Sequence, residues 1–245
     1  MRRMIDRLIL PVCLTLWLVA PAAAAPQSSG IALPTQPEAT GFRKSNHFDD
    51  VIAYIRELQA RSDKLRVETL LRTAEGREVP LVVMGDPLPD SPAAAQADAR
   101  PIVFLQGNIH AGEVEGKDSL LMLMRDMLLG DKRELLRRNI YLVVPIFNAD
   151  SNERISPQNR SYMPNPEEGV GLRHNSQNYD LNRDYIKTDS REVRAAIARI
   201  ILPWDPLVFV DLHTTDGSYH QETVTYLRSE EHTSELPSRQ VTSYA

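Results

Sequence analysis

His110 and Glu113 stand three residues apart, just after the apolar run Ile102 to Gln106, and His213 closes a second apolar run at Val208-Phe209-Val210-Asp211-Leu212. Polar groups placed past the carboxyl ends of strands face the crevice where α/β sheets bind ligands. If Glu113 opens a helix, its spacing from His110 lets both side chains aim at one point. An imidazole nitrogen and a carboxylate oxygen both reach zinc at roughly 2.0–2.2 Å. A third ligand from a distant strand leaves the fourth position to water, which is the layout of a catalytic rather than a structural site. H-x-x-E alone is more often a surface pair than a ligand pair. The distant histidine at a strand end is what strengthens it.

The elements that must carry these residues follow from periodicity. Phe48, Val51, Ile52, Ile55 and Leu58 repeat at helical spacing and predict a helix over 47–61. Residues 65–72 and 79–84 read as two strands joined by a turn at Glu75-Gly76-Arg77. Residues 87–101, rich in Pro, Ala and Asp, read as a surface loop. Beyond them the pattern predicts a strand at 102–106, a helix at 114–129, a strand at 140–147, a helix at 191–202 and a strand at 206–212. This alternation predicts an α/β fold on a mixed, largely parallel sheet with helices on both faces. Residues 148–181 break the rhythm with Pro157, Pro164, Pro166, Gly169 and Gly171. Connections this long in a compact domain are usually functional or disordered, and the density of Asn, Arg and Asp favours function.

The chain of 245 residues is 42% apolar and 25% charged, the balance of a globular protein. Its net charge of -5 argues against a nucleic-acid binder. Arg2, Arg3 and Arg7 precede a mostly apolar run from Leu8 to Ala20, and small residues follow at Ala22 to Ala25. This three-part layout predicts a cleaved signal peptide over 1–25, export to the periplasm or beyond, and no stable membrane anchor afterwards. Cleavage would remove three arginines and Asp6, moving the charge from -5 to -7. It would also remove Cys13, the only cysteine, so any metal must be held by His, Asp or Glu. Residues 26–45, with Pro26, Pro34 and Pro37, read as a linker.

Four phrases in order give the chain a family resemblance: Gly107-Asn108-Ile109-His110-Ala111-Gly112-Glu113, Asn148-Ala149-Asp150, Asp180-Leu181-Asn182-Arg183 and Asp211-Leu212-His213. With them the sequence resembles the zinc carboxypeptidases of the carboxypeptidase A-like superfamily. The upstream Glu75-Gly76-Arg77 is also typical. The resemblance implies one Zn2+ ion held by His110, Glu113 and His213. It implies that Asp180 orients the first histidine by accepting its other ring N–H. Asn182 and Arg183 match the pair that grips a peptide's free C-terminal carboxylate, a task suited to the guanidinium fork. Arg173 matches the arginine that polarises the scissile carbonyl and stabilises the oxyanion. Asn178 stands where glycine is usual, which puts the local turn in question. Arg154 and Arg160 read as loop or surface charges, and His47, His174, His220 and His232 as exposed or capping residues. Asp211 is open between a group supporting His213 and a satisfied buried acid. The group Met122, Met124 and Met127 reads as core packing.

The implied activity is hydrolysis of the C-terminal peptide bond, with zinc polarising the carbonyl and a glutamate as general base. In relatives that glutamate lies many tens of residues past the third ligand. Glu222, Glu230, Glu231 and Glu235 match no such motif. The expectation is therefore a catalytic domain over 46–227 that is C-terminally truncated and inactive. Residues 228–236, Arg-Ser-Glu-Glu-His-Thr-Ser-Glu-Leu, read as the in-frame translation of a sequencing-library adapter, from which Pro237 departs. Residues 228–245 are thus expected to be a non-native tail. The competing readings are a zinc amidohydrolase of the same superfamily, acting on N-acyl amino acids or cell-wall peptides, and a non-catalytic zinc- or peptide-binding module.

Overall fold

The computed structural model describes residues 33–214. The expected signal peptide, the expected tail, His220, His232 and the four late glutamates lie outside the described residues. Among the described residues five strands form one sheet: β1 (Leu65–Arg72), β2 (Glu78–Met84), β3 (Ile102–Gly107), β4 (Ile140–Val144) and β5 (Val208–Leu212), in the order β1-β2-β4-β3-β5. β1 with β2 and β2 with β4 are antiparallel, whereas β3 runs parallel to both β4 and β5. The sheet is mixed, with half of these pairings parallel.

Burial explains the sequence of these strands. Every residue of β4 is buried, as is every residue of β2 after Glu78. A strand covered on both faces reads as an unbroken apolar run rather than an alternation. The register pairs Gly107 with Leu212 and Gln106 with Val144 and Asp211. The chain therefore leaves β3 and β5 at the same end of the sheet. Phe104 and Phe209 stack across this pairing with ring centroids 4.5 Å apart.

Three helices matter to the site: α1 (Phe48–Arg61), α2 (Val114–Leu128) and α3 (Arg191–Ala196). Val51, Ile55 and Leu58 of the predicted stripe are buried together with Tyr54. α1 packs on α2 and β1, α2 on β3, and α3 on β1. Met124 and Met127 lie in the core, with Met122 only half-buried. Among the described residues no helix is long and apolar enough to cross a membrane.

Three local expectations are corrected. Residues 33–45, read as linker, fold onto the body: Gln36–Ala39 forms a helical turn, Thr35 and Pro37 are buried, and Glu38 pairs with Arg125 of α2. Burial and an ion pair outweigh the proline-rich composition there. Within the expected loop 87–101, Pro92–Gln96 is a short helix whose cap, Ser91, accepts from the Ala94 amide at 3.1 Å. Serine before proline is a helix-start signal. The helix expected over 191–202 changes to a π turn at Ile197–Ile201 and ends at Leu202–Trp204. Pro203, which has no N–H to give to the i-4 carbonyl, sits just past that irregular turn.

Candidate metal centre

After β3 the chain turns through Asn108, whose φ of 63° lies in the left-handed region that asparagine tolerates best after glycine. The Ala111 amide donates to Leu172 O at 3.1 Å, and the Glu113 amide donates to His110 O at 2.9 Å. Glu113 occupies the position just before α2, its carboxylate turned away from the helix amides. One turn into that helix, Gly116 faces the end of β5. A Cβ at Gly116 would lie 2.9 Å from Leu212 Cβ and equally close to its carbonyl oxygen. The missing side chain lets α2 approach closely enough for His213 to reach Glu113.

His110, Glu113 and His213 offer ligand atoms that all lie within 4.8 Å of one another. His110 Nδ1 is 2.9 Å from Glu113 Oε1, and His213 Nδ1 is 2.8 Å from Oε2. The outer nitrogens face carboxylates: His110 Nε2 lies 3.1 Å from Asp180 Oδ1, and His213 Nε2 lies 2.9 Å from Asp211 Oδ2. Such carboxylates hold a proton on Nε2, which turns the Nδ1 lone pairs inward towards a cation. Two imidazole nitrogens and a buried carboxylate, each histidine backed by an acid, are a donor set that fits zinc.

The charges follow the same geometry. Burial works to raise the Glu113 pKa, but contacts with His110, His213 and Arg160 outweigh it and hold the carboxyl below its usual range. Asp211 first and Glu113 second raise His213 to about 9. Burial also opposes ionisation of Asp180, and His110 and Arg173 overcome it.

The predicted site residues fall around this hub. Arg173 Nε donates to Asp180 Oδ2 at 2.9 Å, and Arg173 Nη1 stands 3.5 Å from His110 Nδ1. Asn182 Nδ2 is 3.4 Å from His213 Nε2. Arg183 is exposed, and its Nη1 donates to Asn182 O at 3.2 Å. Asn178 has φ of 67°, so asparagine takes the left-handed turn that glycine would otherwise fill. Asp211, open in the sequence, backs His213.

Arg160 lies in a turn, as a loop charge would, but it is not a surface charge. Its side chain is only 11% exposed, and Nη1 donates to Glu113 Oε1 at 2.8 Å. Asp150 also gains a role. Its carboxylate accepts from Thr73 Oγ1, Arg77 Nη1, Ser176 Oγ and the Glu75 amide, tying the β1–β2 turn to the segment after Arg173. The sequence signal for Arg160 was only the density of Asn, Arg and Asp in the long connection, whereas Asp150 stood in the phrase Asn148-Ala149-Asp150 with no role assigned to it. Next to the centre lies a cleft of about 500 Å³ lined by Arg154, Arg160, Arg173, His174, Asn175 and Ser176.

A sheet that delivers His-x-x-Glu and a distant histidine to one edge is the architecture of a metallopeptidase, and the chain belongs to the zinc carboxypeptidase family, whose profile matches residues 51–216. It is similar to carboxypeptidase Z of Homo sapiens, 30% identical over 176 residues that cover 69% of this chain and 26% of that protein. Its fold is similar to the metallo-carboxypeptidase of Burkholderia cenocepacia, with a TM-score of 0.54, 22% identity, and coverage of 71% of this chain and 42% of that one. A metallo-carboxypeptidase of Pseudomonas aeruginosa in complex with (2-guanidinoethylmercapto)succinic acid gives a TM-score of 0.50 at 17% identity, covering 70% and 40%. The chain spans about a quarter of the length of the curated relative.

Proposed function

We propose that this chain carries the metal-binding and carboxylate-anchoring part of a zinc metallocarboxypeptidase that hydrolyses the C-terminal peptide bond of peptides. One observation carries the reading: the Nδ1 atoms of His110 and His213 converge on the Glu113 carboxylate while Asp180 and Asp211 hold their outer nitrogens. His110, Glu113 and His213 would hold the zinc ion. When bound, zinc supplies Lewis-acid polarisation of a carbonyl and makes water acidic enough to lose a proton near neutrality. Asn182 and Arg183 would bind the substrate's terminal carboxylate, and Arg173 would donate to the oxygen that gains charge. Arg173 is already oriented by Asp180.

The same reading makes this chain a metal binder without peptidase activity. The described carboxylates that reach the two histidines are Glu113, Asp180 and Asp211, and each is engaged by them. Among the described residues none of these three is left to take a proton from water, which supports the reading. Export belongs to this reading as well, supported by the arginine-flanked apolar run at the amino terminus.

Metal analysis of the purified chain tests the proposal, beside an assay for amino acids released from the carboxyl ends of peptides. One zinc per chain, lost in Glu113→Gln, with no release is the expected result. Absence of stoichiometric zinc overturns the metal site, and zinc-dependent release overturns the inactivity.

A further inference from the structure

Building on that metal-site reading, we propose that Arg160 is a positioning residue of the centre, fixing the Glu113 carboxylate in the orientation a metal ion needs. Glu113 is 3% exposed, so its orientation is set by protein groups rather than by water. Oε2 faces His213 Nδ1 and accepts from the Thr214 amide at 3.1 Å. Oε1 faces His110 Nδ1 and accepts from Arg160 Nη1. A bound metal would take the Nδ1 atoms of both histidines. Arg160 is then the donor that remains on Oε1, as the Thr214 amide is on Oε2.

The surroundings are built to deliver that guanidinium. Arg160 itself has φ of 51°, a left-handed conformation that a side chain adopts at an energetic cost and keeps only where its surroundings enforce it. Asn165 Nδ2 donates to Arg160 O at 2.8 Å and to Asn159 O at 3.3 Å, and the Met163 amide donates to Arg160 O at 3.0 Å. The stem then crosses Gly112, the residue before Glu113. A Cβ at Gly112 would stand 2.6 Å from Arg160 Cδ, so the passage depends on a residue without a side chain. A surface charge needs none of this.

Two effects of the guanidinium oppose each other. Its positive charge disfavours a nearby dication, while its hydrogen bond holds the ligand oxygen in place. Partners that orient metal ligands typically contribute about 10–100-fold in metal affinity. Because the carboxylate is buried and its other oxygen is already fixed, orientation is the larger effect.

The test uses the full 245-residue chain. Zn2+ affinity is measured by competition with a chromogenic chelator, and ligand geometry by the visible absorption of the Co2+-loaded protein. Arg160→Met, which keeps the stem and removes the donors, is expected to bind Zn2+ about 10–100-fold more weakly and to change the Co2+ spectrum. Arg160→Lys, which keeps one cationic donor, is expected to fall between. Unchanged or tighter affinity in Arg160→Met, with an unaltered Co2+ spectrum, overturns the proposal. If Arg160→Met does not fold, Arg160→Lys decides: a weaker site supports the assignment and an unchanged one overturns it. Failure of the unsubstituted chain to bind Zn2+ would instead overturn the metal site itself, so the two failures are distinct.

Discussion

Asp180 joins two residues from separate connecting segments: one carboxylate oxygen lies 3.1 Å from His110 Nε2 and the other accepts from Arg173 Nε at 2.9 Å. The first contact sets the tautomer of a candidate metal ligand. The second fixes an arginine beside the same histidine. Asp180→Ala should therefore loosen both at once. We expect about a 10–100-fold loss of zinc affinity, read by chelator competition, with a smaller effect from Asp180→Asn, which keeps the shape. An unchanged affinity in Asp180→Ala would mean that His110 is oriented by other contacts.

Metal uptake should depend on pH through His213. Asp211 and then Glu113 raise its pKa to about 9, so before metal binds it is protonated at neutral pH. A histidine must lose its proton to ligate, and metal binding therefore releases protons. The raised pKa lowers apparent affinity below pH 9. Zinc affinity should climb about tenfold per pH unit from 6 to 8 for this one proton. Proton release in weakly buffered solution checks it, and a flat profile would contradict the assignment.

Gly116 sets two tendencies against each other. In an exposed helix, glycine to alanine stabilises by about 0.5–1 kcal/mol. Here the new methyl would lie 2.9 Å from Leu212 Cβ and from its carbonyl oxygen, closer than a Cβ stands to its neighbours, so the end of β5 must shift. Overpacking of this kind costs about 1–3 kcal/mol. The second effect is larger, so Gly116→Ala should be destabilised in a denaturant melt. Because Leu212 precedes His213, zinc affinity should fall as well.

The elements legible in the sequence were those whose burial is periodic or continuous. The stripe through Val51, Ile55 and Leu58 needed only a helical repeat, and the all-buried β4 needed only an unbroken apolar run. His110, Glu113 and His213 were legible because strand ends focus ligands, although the register that brings β3 and β5 side by side was not. The contacts of Arg160 and Asp150 were illegible for a shared reason. Each reaches a partner 47 or 77 residues away, and both sit in the long connection, which carries no period to fix its path. Thr35 and Pro37 fail differently, since composition marks a linker while tertiary contacts bury them.

Asp150 carries the last prediction. It is 1% exposed and receives four hydrogen bonds, from Thr73, Arg77, Ser176 and the Glu75 amide. Burial works to raise its pKa, but these donors outweigh burial and hold it below the usual 3.8. A depressed folded pKa contributes stability that is fully present above the unfolded value and is lost as pH falls through the folded one. Asp150→Asn should therefore cost about 1.5–3 kcal/mol at pH 7, the worth of hydrogen bonds to a charged group. The two proteins should converge in stability at pH values below the Asp150 transition, where the native carboxyl is itself protonated. Parallel urea melts of the two proteins at pH 7 and at successively lower pH, as far as the native fold persists, measure this. A stability gap of constant size between those pH values would show that the Asp150 charge is not what joins the β1–β2 turn to the metal-site loop.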